Sequence, residues 1–254
     1  MTLAANMVVR EPTVTIVSRP RFSEPPHRAV RNLGSASDGE RLTEYAGRLH
    51  LASAHNAADR TTQEFVESML RHGHASLFRH ATYSVLIEGV SVALGGALER
   101  QAGFGCTSQG QRYVEAADVK FVIPPGIIGD TELEREWLDG VVASLERYTR
   151  LTESLLTRFA WVGDTRQRRK LAREAACTVL PLSTETALVA TASVQAWRDL
   201  IAQYGHEHAD LERRRLAVRA LRVLHHEAPV CFGDFAIGQA SDLREYVQVG
   251  SHEV

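Results

Sequence analysis

Cysteine is scarce in this sequence, with Cys106, Cys177 and Cys231 the only three in 254 residues. They are odd in number, far apart and never arranged as CxxC, which argues against a disulfide framework or a cysteine-rich zinc site and for a reduced, cytoplasmic protein. Long apolar runs are missing too. No stretch of eighteen apolar residues is present, and MTLAANMVVREPT lacks the apolar centre of a signal peptide, so neither a membrane span nor a secreted form is expected. Nor is there an excess of one charge: the formal net charge is −2, which gives no reason to expect nucleic acid or an anionic membrane as partner. GxxxxGK[ST] and HExxH are absent as well, which removes a Walker loop and a zinc-protease helix; GHEHADLE, with His206, Glu207, His208 and Glu212, only approaches the latter.

What remains is enough apolar material for a substantial core. Residues 1–38 hold Pro12, Pro20, Pro25 and Pro26 and read as an N-terminal arm with one short strand at 13–17. Residues 39–241 form the domain, and 242–254 a C-terminal tail. Helical spacing predicts a helix over 41–56 with Leu42, Tyr45, Leu49 and Ala52 on its buried face, and a second over 60–71, capped by Asp59 and ended by Gly73. Residues 81–88 alternate as a strand broken by Gly89, and Ser91 caps a helix over 92–101. The Gly- and Ser-rich stretch 103–111 reads as a loop, and KFVIPP as a short strand. Helices follow over 133–159, 167–179, 194–204 and 211–225, with strand-like residues at 183–193 and a last short helix around Phe232 and Phe235. Arg213, Arg214 and Arg215 read as a solvated helix face. The class is α+β, with a mixed or antiparallel sheet beside a helical bundle.

Chemistry concentrates between His72 and Glu115. His72, His74 and His80 carry ring nitrogens where a helix meets a strand; no carboxylate or cysteine completes a metal set, so no metal is expected, and the rings suit contact with a planar ring or a phosphate. The stretch from Gly103 to Tyr113 combines glycines that admit close backbone approach with a guanidinium, Arg112, suited to phosphate. By composition alone a surface loop is an equal reading. Cys106 and Cys177 read more simply as buried thiols than as nucleophiles.

In order, HGHASLFRH, IEGVSVAL, RQAGFGCTSQGQRYV, FVIPP, REAACTVLPL and PVCFGDF resemble the stretches HGHxSPFEH, IEGISRAL, Arg-His-Arg-x7-Ser with Gly/Gln-Arg-Tyr, FxIP, RExARxxLP and PxxFxxF of the flavin-dependent thymidylate synthase family, over about residues 40–240. The resemblance implies that family's fold and a homotetramer whose active sites are each built from several subunits. It also implies FAD as cofactor, NADPH and methylene-tetrahydrofolate as co-substrates, and methyl transfer to C5 of a uridylate or related pyrimidine nucleotide or nucleoside. Carried over by motif, His74, Ser76, His80, Arg100, Gln101, Ser193, Gln195 and His208 fall on cofactor-binding positions. Ser108, Gln109, Gly110, Gln111, Arg112, Tyr113, Cys177 and Tyr204 fall on substrate-binding ones, with Arg100, Gln101, Gly110 and Arg112 on the catalytic motif. Several depart from the pattern: Arg-His-Arg is Arg100, Gln101 and Ala102, the motif serine is Gly110, a glutamine is Ala97, the arginine before Leu-Pro is Cys177, the NxR pair is Ser193 and Gln195, and the base-contacting arginine is Tyr204. The sequence therefore supports a specialised member of the family. The other readings are the same scaffold with changed, flavin- or folate-independent chemistry, a cysteine nucleophile included, or a non-catalytic ligand-binding paralogue.

Overall fold

The computed structural model describes residues 6–25, 36–51 and 61–250. The chain divides into two compact units: Met1–Thr13 with Ile87–Leu98 and Thr107–Leu188, and Val14–Leu86 with Glu99–Cys106 and Val189–Val254.

In the first unit, β1 (Val8–Val9) and β5 (Phe121–Val122) pair in parallel, Val8 opposite Phe121. Two helices follow, α4 (Thr131–Arg158) and α5 (Thr165–Ala176). Each begins on an aspartate: Asp130 accepts from the N–H groups of Glu132 and Leu133 at 3.1 Å, and Asp164 from those of Arg166 at 2.8 Å and Gln167 at 3.3 Å. The period-3.6 stripe of α4 sends Val141 and Tyr148 into a core with Val119, Phe121 and Ala176, flanked by Trp137, Leu145 and Leu155. A 3-10 turn, Cys177–Val179, closes α5 ahead of Pro181.

In the second unit, α1 (Asp38–His50) and α2 (Thr62–Arg71) both open with a capping box, Ser37 with Glu40 and Thr61 with Glu64. Gly73, at φ +69°, turns the chain out of α2. The helices α6 (Val194–Gly205) and α7 (Leu211–Glu227) bury Trp197, Leu200, Ile201, Leu216 and Leu224, and the hairpin of β7 (Phe235–Gln239) and β8 (Glu245–Val249) is antiparallel. Not confined to the second unit, the strands β2 (Thr13–Ser18), β3 (Thr82–Ser91), β4 (Phe104–Ser108) and β6 (Glu185–Ser193) make one sheet in the order β2-β3-β6-β4, and α3 (Val92–Glu99), which belongs to the first unit up to Leu98, follows β3 directly. The class is α+β, as expected.

Several sequence expectations need correction. The stretch 103–111 is not all loop: Phe104–Ser108 is β4, an edge strand whose glycine content the ladder tolerates because only one neighbour packs on it. β3 runs through Gly89 to Ser91 rather than stopping at the glycine. The buried face of α1 is not Leu42, Tyr45 and Leu49 but Glu40, Thr43, Glu44 and Arg48, while Leu49 is 50% exposed. These polar groups are buried because partners meet them. Glu40 accepts from the N–H of Val230 at 2.6 Å and of Ser37 at 2.9 Å, and Arg48 lies 2.6 Å from Glu44. Arg214, expected on a solvated face, is only 2% exposed and donates to the Glu207 carbonyl at 2.6 Å and to Asp242. The expected helix at Phe232 and Phe235 is a run of turns entering β7, pinned by Arg198, whose guanidinium forks onto both oxygens of Asp234 at 2.6 Å. Within the stretch set apart as a tail, β8 forms. The expected cap Asp59, together with Ala52 and Pro26, lies outside the described residues.

Candidate active site

The residues singled out by sequence fall into two groups, one in each unit. In the first unit, Gln109 joins β4 to a 3-10 turn, Gln111–Tyr113. Three hydrogen bonds fix this segment on the start of β6: the Gln109 N–H donates to the Ala187 carbonyl at 2.8 Å, Thr186 Oγ1 donates to the Gln109 carbonyl at 3.4 Å, and the Gln111 side-chain amide donates to the Glu185 carbonyl at 3.1 Å. The Tyr113 N–H donates to the Gly110 carbonyl at 2.9 Å and closes the turn. A Cβ at position 110 would stand 3.1 Å from the Tyr113 ring, so the serine that the family motif carries there would need the exposed ring to give slightly. Ser108 ends β4.

The turn presents Arg112, its guanidinium 5.4 Å from the Tyr113 ring centroid and 4.0 Å from the exposed Glu174 carboxylate. Both side chains line a cleft of about 870 Å³ whose far wall is α5. Arg166, Arg169, Lys170 and Arg173 line it as well, giving five cations with Arg112 against two carboxylates, Glu115 and Asp164. Arg173 holds Glu115 at 2.9 Å and, with help from Arg169, keeps its carboxyl below the ordinary carboxylate range. Cys177, one turn beyond Arg173, donates to the Glu174 carbonyl at 3.2 Å, and burial pushes its thiol up. The cationic row of α5 was missed in reading the sequence. Its signal was present, in the i, i+3, i+4, i+7 spacing of TRQRRKLAR.

In the second unit Ser193 and Gln195 lie at the start of α6, whereas His208 lies beyond its end. Ser193 is its N-cap, the hydroxyl accepting from the Ala196 N–H at 3.2 Å. The Val194 N–H donates to the Ala81 carbonyl at 2.9 Å, which sets His80 and the opening of β3 beside that cap. His74 and Ser76 lie on the 3-10 turn before His80, and the His72 and His74 rings are 6.5 Å apart. Gln101 and Gly103 form the turn into β4, where Gly103 has φ +80° and its missing Cβ would stand 3.3 Å from Ala196. Gln195 points along its own helix, donating to Asp199 at 2.7 Å. Tyr204 is buried beneath the Arg213 guanidinium, 5.1 Å from the ring centroid, with Arg100 near enough to favour the phenolate; burial is the larger effect and pushes the hydroxyl up. His208 is exposed beside Glu207 at 3.4 Å. Burial also pushes the Cys106 thiol up. Among the described residues no three His, Cys, Asp or Glu side chains could hold a metal ion, and no helix is long and apolar enough to cross a membrane.

Residues 32–230 match the family model described as Thymidylate synthase complementing protein. Among curated proteins, the chain is 38% identical over 231 residues to the Flavin-dependent thymidylate synthase of Mycolicibacterium gilvum (strain PYR-GCK), an alignment covering 90% of this chain and 92% of that protein. The proteins of the same name from Mycobacterium marinum (strain ATCC BAA-535 / M) and Mycobacterium sp. (strain KMS) are 37% and 39% identical, with the same coverage of 90% and 92%.

Proposed function

This chain belongs to the flavin-dependent thymidylate synthase family, and from that premise we propose how it works: as a methyltransferase that builds a methyl group at C5 of a uridylate or related pyrimidine nucleotide, with FAD as cofactor. The observation that carries this reading is the Gln109–Tyr113 segment, braced on β6 and holding Arg112 at the edge of a cationic cleft. A guanidinium recognises a phosphate through paired, charge-assisted hydrogen bonds. Tyr113 beside it offers an aromatic face to the base, and Gly110 leaves the approach free of a side chain.

The second-unit residues fit a flavin by the chemistry of their donors. His74, Ser76 and His80 offer hydrogen-bonding groups suited to the edge of a neutral ring system, and Arg100 a guanidinium suited to a diphosphate. When bound, FAD supplies the reducing equivalents for the new methyl group, with methylene-tetrahydrofolate as carbon donor and NADPH as reductant. The protein's part is to bind and orient. Ser193 and Gln195, engaged with Ala196 and Asp199, contribute by fixing the start of α6. A cysteine nucleophile is disfavoured, because Cys106 and Cys177 are both half-buried and burial pushes each thiol up rather than down. The reading carries with it a homotetramer and a cytoplasmic location, the latter in keeping with a sequence of three cysteines that holds no CxxC.

The test is an absorbance spectrum of the purified protein during FAD titration, then chromatography of uridylates incubated with methylene-tetrahydrofolate and NADPH. Saturable perturbation of the flavin band and a 5-methylated nucleotide are expected. A protein that ignores flavin and leaves every uridylate unchanged would overturn the assignment.

A further inference from the structure

A single phosphate at Arg112 leaves most of the cationic cleft unexplained. Arg166, Arg169, Lys170 and Arg173 all line it from one face of α5, a row about 10 Å long at the α-helical rise. Arg112 stands near the end of this row that includes Glu174, so the other cations run from it toward the start of the helix. Both carboxylates in the cleft are committed: Asp164 caps α5, and Glu115 is held by Arg173.

The row also works against its own helix. Beyond its cap Asp164 the first turn of α5 carries no acidic side chain, and Arg166 sits at the positive end of the helix dipole. Like charges spaced three and four residues apart repel one another as well. A helix that accepts both penalties along a cleft wall is poised for an anion that relieves them, and the relief is greatest for several linked negative charges extending toward the helix start.

We propose that this cleft binds a chain of linked phosphates, the di- or triphosphate of a pyrimidine nucleoside, with its first phosphate at Arg112 and the rest along Arg173, Arg169 and Lys170. The nucleoside part of the proposal rests on the preceding reading of Arg112; the phosphate-chain part does not.

Calorimetric titrations separate the two. Inorganic tripolyphosphate and orthophosphate are titrated into wild-type protein and into Arg169→Gln/Lys170→Gln, both with and without saturating FAD. Tripolyphosphate is expected to bind about tenfold tighter or more than orthophosphate in the wild type, and that advantage to vanish in the variant. Equal affinities, or an advantage that survives in the variant, would overturn the phosphate-chain site. An advantage abolished by FAD would identify the chain as the flavin's own diphosphate and overturn the nucleotide source. UMP, UDP and UTP are then titrated into the flavin-loaded protein. Affinity rising with phosphate number, and a uniform loss for all three in Arg112→Ala, supports a nucleoside polyphosphate. UTP binding no tighter than UMP overturns it. If tripolyphosphate binds as expected while no uridylate is methylated, the function proposed above has failed and the phosphate-chain site has not. The double variant alters exposed or half-exposed side chains, and an unchanged circular dichroism spectrum verifies its fold.

Discussion

Arg48 and Leu49 are neighbours in α1 with opposite fates. Arg48 is 3% exposed, bonded to Glu44 and stacked 4.9 Å from the Phe65 ring centroid, whereas Leu49 is half in water. Glu44 Oε2 has no hydrogen-bond partner among the described residues, so the guanidinium is what chiefly offsets the burial of that carboxylate. Arg48→Ala should therefore cost about 3–5 kcal/mol in urea unfolding, while Leu49→Ala should stay within about 0.5 kcal/mol. At the other functional extreme, Arg112→Lys keeps the charge but not the fork. It should weaken nucleotide binding by about tenfold in calorimetry without moving the unfolding midpoint, since the side chain is exposed.

Among the elements, β4 and the turn before it depend most on one residue. Gly103 sits at φ +80°, where a side chain is strained, and its Cβ would press on Ala196. Gly103→Ala should lower stability by about 1–2 kcal/mol and weaken FAD binding in spectral titration, because the same turn sets Gln101 and Arg100. A variant with unaltered flavin affinity would separate the turn from the cofactor. α2 gives a simpler case: Thr61 accepts from the Glu64 N–H at 3.2 Å, and Thr61→Ala should cost about 1 kcal/mol in the same unfolding measurement.

For the molecule as a whole, acid is the revealing stress. Arg10 and the Gly129 N–H hold the Glu134 carboxyl down at about 2, while Arg19 lowers Glu227 and Arg214 lowers Asp242. Each carboxyl has a native value below its unfolded one. The stability it contributes is thus fully present above the ordinary carboxylate range and is lost as pH falls, for Glu134 toward about 2. These carboxylates are half-buried at the surface rather than in the core, and water keeps each contribution small. Arg10→Ala should move the acid-unfolding midpoint upward in pH, and circular dichroism against pH would register it. An unmoved midpoint would mean that the Arg10–Glu134 pair adds nothing measurable.

The sequence by itself determined what local periodicity and spacing encode. The long apolar stripe of α4, the alternation of β3, the span of α6 and the ordered motifs from His72 to Tyr113 were legible because each depends on residues close along the chain. Tertiary structure alone decided the burial of Glu40 and Arg214, because a polar side chain goes inside only where a partner awaits it, here one distant along the chain: Val230 for Glu40, Asp242 for Arg214. It also decided that Phe104–Ser108 is a strand, since an edge strand's conformation comes from the ladder it joins rather than from its own residues. The cationic cleft belongs to both. Its charges are written at helical spacing in one segment, but they face a common space with Arg112 only after the 3-10 turn and α5 are folded against each other.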